Sequence, residues 1–206
     1  MMDASTIATF VKTHLNIPRI GMLINSIDGD LDESQYRFLK GRIIEMSLQE
    51  YSKGKIQYIG QCGVDCIIPE LDDVGIEVKF IKDKIYTKHG SLYPTTTIKL
   101  YNTNGGSGTP ILPPDYANFL LCLSNRGIIL VTKDVFNNES NISILPDGIS
   151  TTFPTHQSII LAGICDIDIP YTPIITIKQL LESVFIDYIN SIPTTPPNPL
   201  ENFFKR

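Results

Sequence analysis

Between Ile56 and Ile81 the chain reads in a period of two, directly behind a segment that reads as a helix, and this junction limits the fold more than any other feature. Ile56 to Gln61, Val64 to Ile68 and Gly75 to Ile81 are rich in Ile, Val, Tyr and Phe, which suit a pleated, half-buried surface. Pro69-Glu70-Leu71-Asp72-Asp73 supplies turn chemistry between the last two, so a strand meander is expected. One aspartate, Asp65, stands inside the apolar run Val64-Asp65-Cys66-Ile67-Ile68. A charge on a buried strand is costly unless it is paired or binds a cation.

The segment before the meander, Asp32 to Tyr51, carries helix punctuation. Asp32 can cap it, Gln35 follows as a capping-box partner, and Tyr36, Leu39, Ile43 and Met46 form an apolar stripe. Extending that stripe through positions 36, 43 and 50 puts Glu50 on the inward face. Glu45 falls on the opposite side, in solvent.

Further strands are expected at Thr95 to Tyr101 and in a hairpin of Tyr116 to Leu123 with Gly127 to Thr132, turned by Ser124-Asn125-Arg126-Gly127. Residues 134–158 read as loop, Ile159 to Ile164 as a short strand, and Thr176 to Ser191 as a helix capped by Thr176. No internal repeat is visible. The order helix, meander, strands, helix describes an α/β (α+β) domain around a mixed central β-sheet flanked by helices. One domain over residues 1–206 is expected, with a core over about 32–133 and a Pro-rich tail over about 193–206.

Composition narrows the class. The chain has 206 residues, 42% of them hydrophobic, enough for one packed core. Met1 to Ile17 lacks the basic start and apolar core of a signal peptide, and no run of about 18 uncharged apolar residues occurs; a cytoplasmic protein with no membrane contact is expected. The four cysteines, Cys62, Cys66, Cys122 and Cys165, are expected to be reduced and structural. Cys62 and Cys66 with His89 lack the second half of a closed zinc site.

A net charge of −5 argues against a protein that coats nucleic acid. The charge is unevenly spread, however. Lys79, Lys82, Lys84, Lys88 and Lys99 cluster with His89, and Asp83 is the only acid among them. Such a segment suits phosphates, although a solvated lysine-rich loop has the same composition.

On a strand, Glu77 and Lys79 share a face. If the strand of Asp65 pairs with theirs and Glu50 comes in from the helix, three carboxylates and a lysine converge. Carboxylates brought together call for a cation, and hard oxygen ligands favour Mg2+ or Mn2+ over zinc. A lysine beside them can hold or help deprotonate a water, and the set suits hydrolysis of a phosphodiester.

At these residues the chain resembles the PD-(D/E)xK nuclease superfamily, and within it the small type II restriction endonucleases: Asp65 is followed after eleven residues by Glu77-Val78-Lys79. Val64 stands where the motif has proline. The resemblance covers about Asp32 to Tyr101. It implies a Mg2+-dependent, site-specific endodeoxyribonuclease acting in host defence on double-stranded DNA, with Mn2+ able to substitute. Asp65, Glu77 and Glu50 would be metal ligands and Lys79 the group that positions the attacking water, giving 5′-phosphate and 3′-hydroxyl ends. A homodimer matched to a symmetric site and a cognate DNA methyltransferase are the expected partners.

Candidate DNA contacts are Lys82, Lys84, Lys88, His89, Lys99, Asn102, Asn104 and Arg126, since Asn suits adenine and Arg suits guanine. Tyr86 and Tyr93 could line a DNA channel or anchor the loop. His89 is also a candidate general base, though no HNH-like pattern accompanies His14, His89 and His156. Two alternatives remain: a repair or junction-resolving nuclease on the same core, and a DNA-binding protein without catalysis.

Overall fold

The computed structural model describes residues 3–30, 33–61, 63–81, 84–101, 112, 114–146 and 148–167, and side chains are described outside 28–39, 101 and 165. All of these lie in one compact unit, Met1–Thr172. The expected helix at Thr176 to Ser191 and the Pro-rich tail fall outside the described residues.

Three helices lead: α1 (Ala4–His14), α2 (Ile17–Asp30) and α3 (Glu33–Tyr51). The first two were not anticipated, although Ile20, Leu23, Ile24 and Ile27 of α2 recur at helical spacing and are all buried. Gly21 lets α2 approach the short α5 (Ile164–Ile167), since a Cβ there would lie 2.8 Å from Ile167 Cγ2.

Strands β1 (Gln57–Gln61), β2 (Val64–Ile68) and β3 (Val74–Phe80) form the expected antiparallel meander. Asp72 and Asp73 both take positive φ of 54° at its second turn, a conformation aspartate tolerates better than most residues. β4 (Thr95–Tyr101) then leaves the sheet, and β5 (Phe119–Ser124) returns parallel to β3. A hairpin to β6 (Gly127–Thr132) and a last strand, β9 (Ile159–Ala162), complete the order β1-β2-β3-β5-β6-β9. The result is a mixed six-stranded sheet.

The segment expected to be loop between 134 and 158 is ordered. The short helix α4 (Lys133–Phe136) and strands β7 (Ile142–Leu145) and β8 (Gly148–Pro154) occupy it, and β4, β8 and β7 form a second antiparallel sheet. Its alternation was muted by hydroxyl residues: Thr96 pairs with Thr155 at 2.8 Å and Thr97 with Thr152 at 2.8 Å between their Oγ1 atoms.

Alternation along the strands gives the large sheet two faces. Helix α3 lies against β1 and β3, and α1 against β9. Leu120, Cys122, Ile129 and Val131 point the other way, into a core shared with Ile98, Leu100, Ile149 and Phe153 of the small sheet. β5 is buried along its whole length and β6 along most of it, which explains their nearly continuous apolar sequence. Among the described residues no helix is long and apolar enough to cross a membrane.

Candidate active site

Asp65 sits where the β2–β3 ladder ends. The register runs Ile68–Val74, Ile67–Gly75 and Cys66–Ile76. Beyond the last pair, Val78 N–H donates to Asp65 Oδ2 at 2.8 Å. The side chain thus takes the place of a strand carbonyl, which gives one structural reason for an aspartate in an apolar run.

Glu77 and Lys79 stand on β3 opposite Leu120 and Cys122 of β5, so they project toward the core shared with the small sheet. Lys79 Nζ binds Glu77 Oε1 as an ion pair. Glu77 is 6% exposed, and its second oxygen is buried with no hydrogen-bond partner among the described residues. Burial pushes the Glu77 carboxyl up to about 7; Lys79 pulls it down and Asp65 adds to the rise. Asp65 is raised as well, by burial first, against the Val78 N–H bond and the Lys79 charge. A lone buried carboxylate oxygen beside a second carboxyl is an environment that a cation would relieve.

Helix α3 delivers a different glutamate from the one expected. Glu50 is exposed, whereas Glu45 is partly buried and feels the charges of Asp65 and Lys79. Burial, then Asp65, raises the Glu45 carboxyl. The inward face of α3 is built on Ile44, Ser47, Leu48 and Tyr51. Which flank of that face is covered depends on β2, whose Cys66 thiol lies 3.8 Å from the Glu45 carbonyl. Extending the stripe by sevens could not reveal that.

Arg42 was not singled out from the sequence. Its Nη1 lies 3.2 Å from Glu45 Oε2, its guanidinium covers the Tyr58 ring at 5.0 Å, and its charge reaches Asp65. Gly60, with φ of 60°, makes room: a Cβ there would lie 2.9 Å from Arg42 Nη1 and would overlap Tyr58 Oη.

The expected DNA contacts divide. Lys84, Lys88 and His89 are exposed. Lys99 is partly buried on β4. Arg126 is turned inward, its Nη1 donating to Thr87 O at 2.7 Å. Lys82, Asn102 and Asn104 lie outside the described residues. Tyr86 is a buried anchor and Tyr93 is 39% exposed. Cys66 and Cys122 are free buried thiols, with Cys122 pushed up to about 12 by burial.

Among the described residues no three His, Cys, Asp or Glu side chains are gathered closely enough to hold a metal ion. The close set is the pair Asp65 and Glu77 with Lys79, and Glu45 behind it. No protein-family model, curated protein or solved structure matches the chain.

Proposed function

We propose that this chain is a Mg2+-dependent endonuclease of double-stranded DNA, built as a type II restriction enzyme and acting as a homodimer beside a cognate methyltransferase. The observation that carries the reading is the Glu77 carboxylate, buried beside Asp65 with Lys79 on one oxygen and, among the described residues, no hydrogen-bond partner on the other. Support also comes from the mixed sheet that places Asp65 and Glu77-Val78-Lys79 on neighbouring strands.

The residues fit a hard divalent ion. Mg2+ is commonly held by one or two carboxylates, with water and substrate phosphate completing its shell, so a pair of carboxyls is enough protein. Asp65 and Glu77 would hold it, with Glu45, whose charge is felt at Asp65, acting on it only through water. When bound, the ion neutralises phosphate oxygens and acidifies a water. Lys79, released from Glu77, then donates to the attacking water and orients it toward phosphorus, while its positive charge favours hydroxide there. Arg42, held on Tyr58 and Glu45, adds a cation to the same flank.

Supercoiled plasmid incubated with Mg2+, with EDTA, and with the Asp65→Asn and Lys79→Ala proteins tests the reading. Discrete linear products that need Mg2+ and vanish in both variants are expected. Intact plasmid throughout, with branched DNA also uncut, would reject catalysis and leave a DNA-binding role.

A further inference from the structure

The segment from Ile85 to Tyr93 is a small, locked hairpin. Tyr93 N–H donates to Ile85 O at 3.0 Å and Thr87 N–H to Ser91 O at 2.7 Å, with a bridge between Tyr86 and Leu92. At the tip, Thr87 Oγ1 accepts the N–H groups of His89 at 3.3 Å and Ser91 at 3.2 Å.

The hairpin is also bolted to the sheet. Arg126, in the β5–β6 turn, donates to Thr87 O, and that turn is itself fixed by Ser124 Oγ, which accepts from Arg126 N at 3.1 Å. The Tyr86 ring fills the space over Gly127 where a Cβ would be. Ile85 and Tyr86 pack in the same cluster as Cys122 and Ile129. Lys79 pairs with Cys122, and Cys122 pairs with Ile129, two residues from Gly127. The hairpin base therefore lies on the Lys79 face of the sheet, about 7 Å further along the strands at roughly 3.3 Å per residue.

The hairpin's own charges are positive, with Asp166 of α5 beside the Tyr86 hydroxyl at its base. Lys84, Lys88 and His89 are exposed, residues 84–94 contain no acid, and no carboxylate pairs with Lys84 or Lys88 among the described residues. Within a chain of net charge −5, a rigid basic projection at the edge of the carboxylate site is fitted to a polyanion.

We infer that the 85–93 hairpin is a phosphate-gripping finger that holds the backbone of duplex DNA alongside the Asp65–Glu77–Lys79 cluster, an assignment that rests on the nuclease reading for its substrate. Arg126 is then the strut beneath the finger and reads no base.

The test is the salt dependence of binding. Fluorescence anisotropy of a labelled duplex in EDTA, over about 50 to 200 mM NaCl, is measured for the parent protein, Lys84→Ala, Lys88→Ala, the double variant, Lys88→Arg, and Lys12→Ala on α1 as control. Each lost phosphate contact lowers the slope of log K against log salt by about 0.9, so the double variant loses about 1.8. Lys88→Arg and Lys12→Ala keep the parent slope. Unchanged slopes in the alanine variants, or no duplex binding by the parent protein, overturn the assignment. Plasmid cleavage run in parallel separates the two ideas: lowered slopes without cleavage keep the finger and reject the nuclease, and cleavage with unchanged slopes rejects the finger alone.

Discussion

The Asp65 carboxylate accepts the backbone N–H of Val78, thirteen residues away, at 2.8 Å. It therefore has two tasks, and they can be separated. Asp65→Ala leaves a part-buried N–H unsatisfied and should lower stability by about 1–3 kcal/mol. Asp65→Asn keeps an oxygen acceptor and should melt near the parent temperature, yet cleave no DNA. Thermal unfolding and plasmid nicking on both variants check this; full nicking by Asp65→Asn would remove Asp65 from the chemistry.

On α3, Glu45 and Glu50 give opposite expectations. Glu45→Gln should lower Mg2+-dependent cleavage roughly 10–100-fold, as loss of a supporting carboxylate does. Glu50, exposed at the helix end, should be replaceable by Gln without effect. Steady-state cleavage rates decide, and equal losses in both variants would contradict the geometry.

The Glu77 carboxyl gives the metal-free protein a pH dependence. Burial raises its folded pKa to about 7 from an ordinary glutamate value of 4.5. The folded state therefore binds the extra proton between those values, and stability falls as pH rises through that window. A shift of that size corresponds to about 3 kcal/mol. Unfolding in denaturant at pH 5 and pH 8, with EDTA, should show the loss. Glu77→Gln should reduce it, leaving the contributions of Asp65 and Glu45, whose carboxyls are raised as well, and Mg2+ should offset it at pH 8 by binding the ionised form.

Gly127 gives a fourth test, through packing. Gly127→Ala forces a methyl into the Tyr86 ring, and overpacking of this kind costs about 1–3 kcal/mol. Amide hydrogen exchange at Thr87 and Ser91 should quicken with it. Unchanged exchange would mean that Tyr86 does not anchor the hairpin.

Local pattern made much of this legible, and tertiary choice hid the rest. β2 and β4 occupy the residues expected of them, because alternation of apolar and polar side chains is a property of a single strand. The placement of Asp65 and Glu77 on paired strands was legible for the same reason. Glu45 was misjudged because the flank of α3 that gets covered is decided by where Cys66 lands. β8 was missed because Ser150 and Thr151 are buried as hydroxyls, so the contrast between faces is low, and β7 because its Ile144 and Leu145 are exposed. α1 and α2 carry their stripes on Ile7 and Val11 and on Ile20, Leu23, Ile24 and Ile27.

The parallel pairing of β3 with β5 sets a sequence of events during folding. β1, β2 and β3 meet through turns of a few residues, but Phe80 meets Leu123 only after the chain between them closes a long loop, and the entropy of that closure must be met before any contact rewards it. The meander can thus bring Asp65 beside Glu77 while both are still hydrated. Their dehydration is deferred to the arrival of β5, so the least favourable step in assembling the site comes last, when the rest of the sheet is there to drive it.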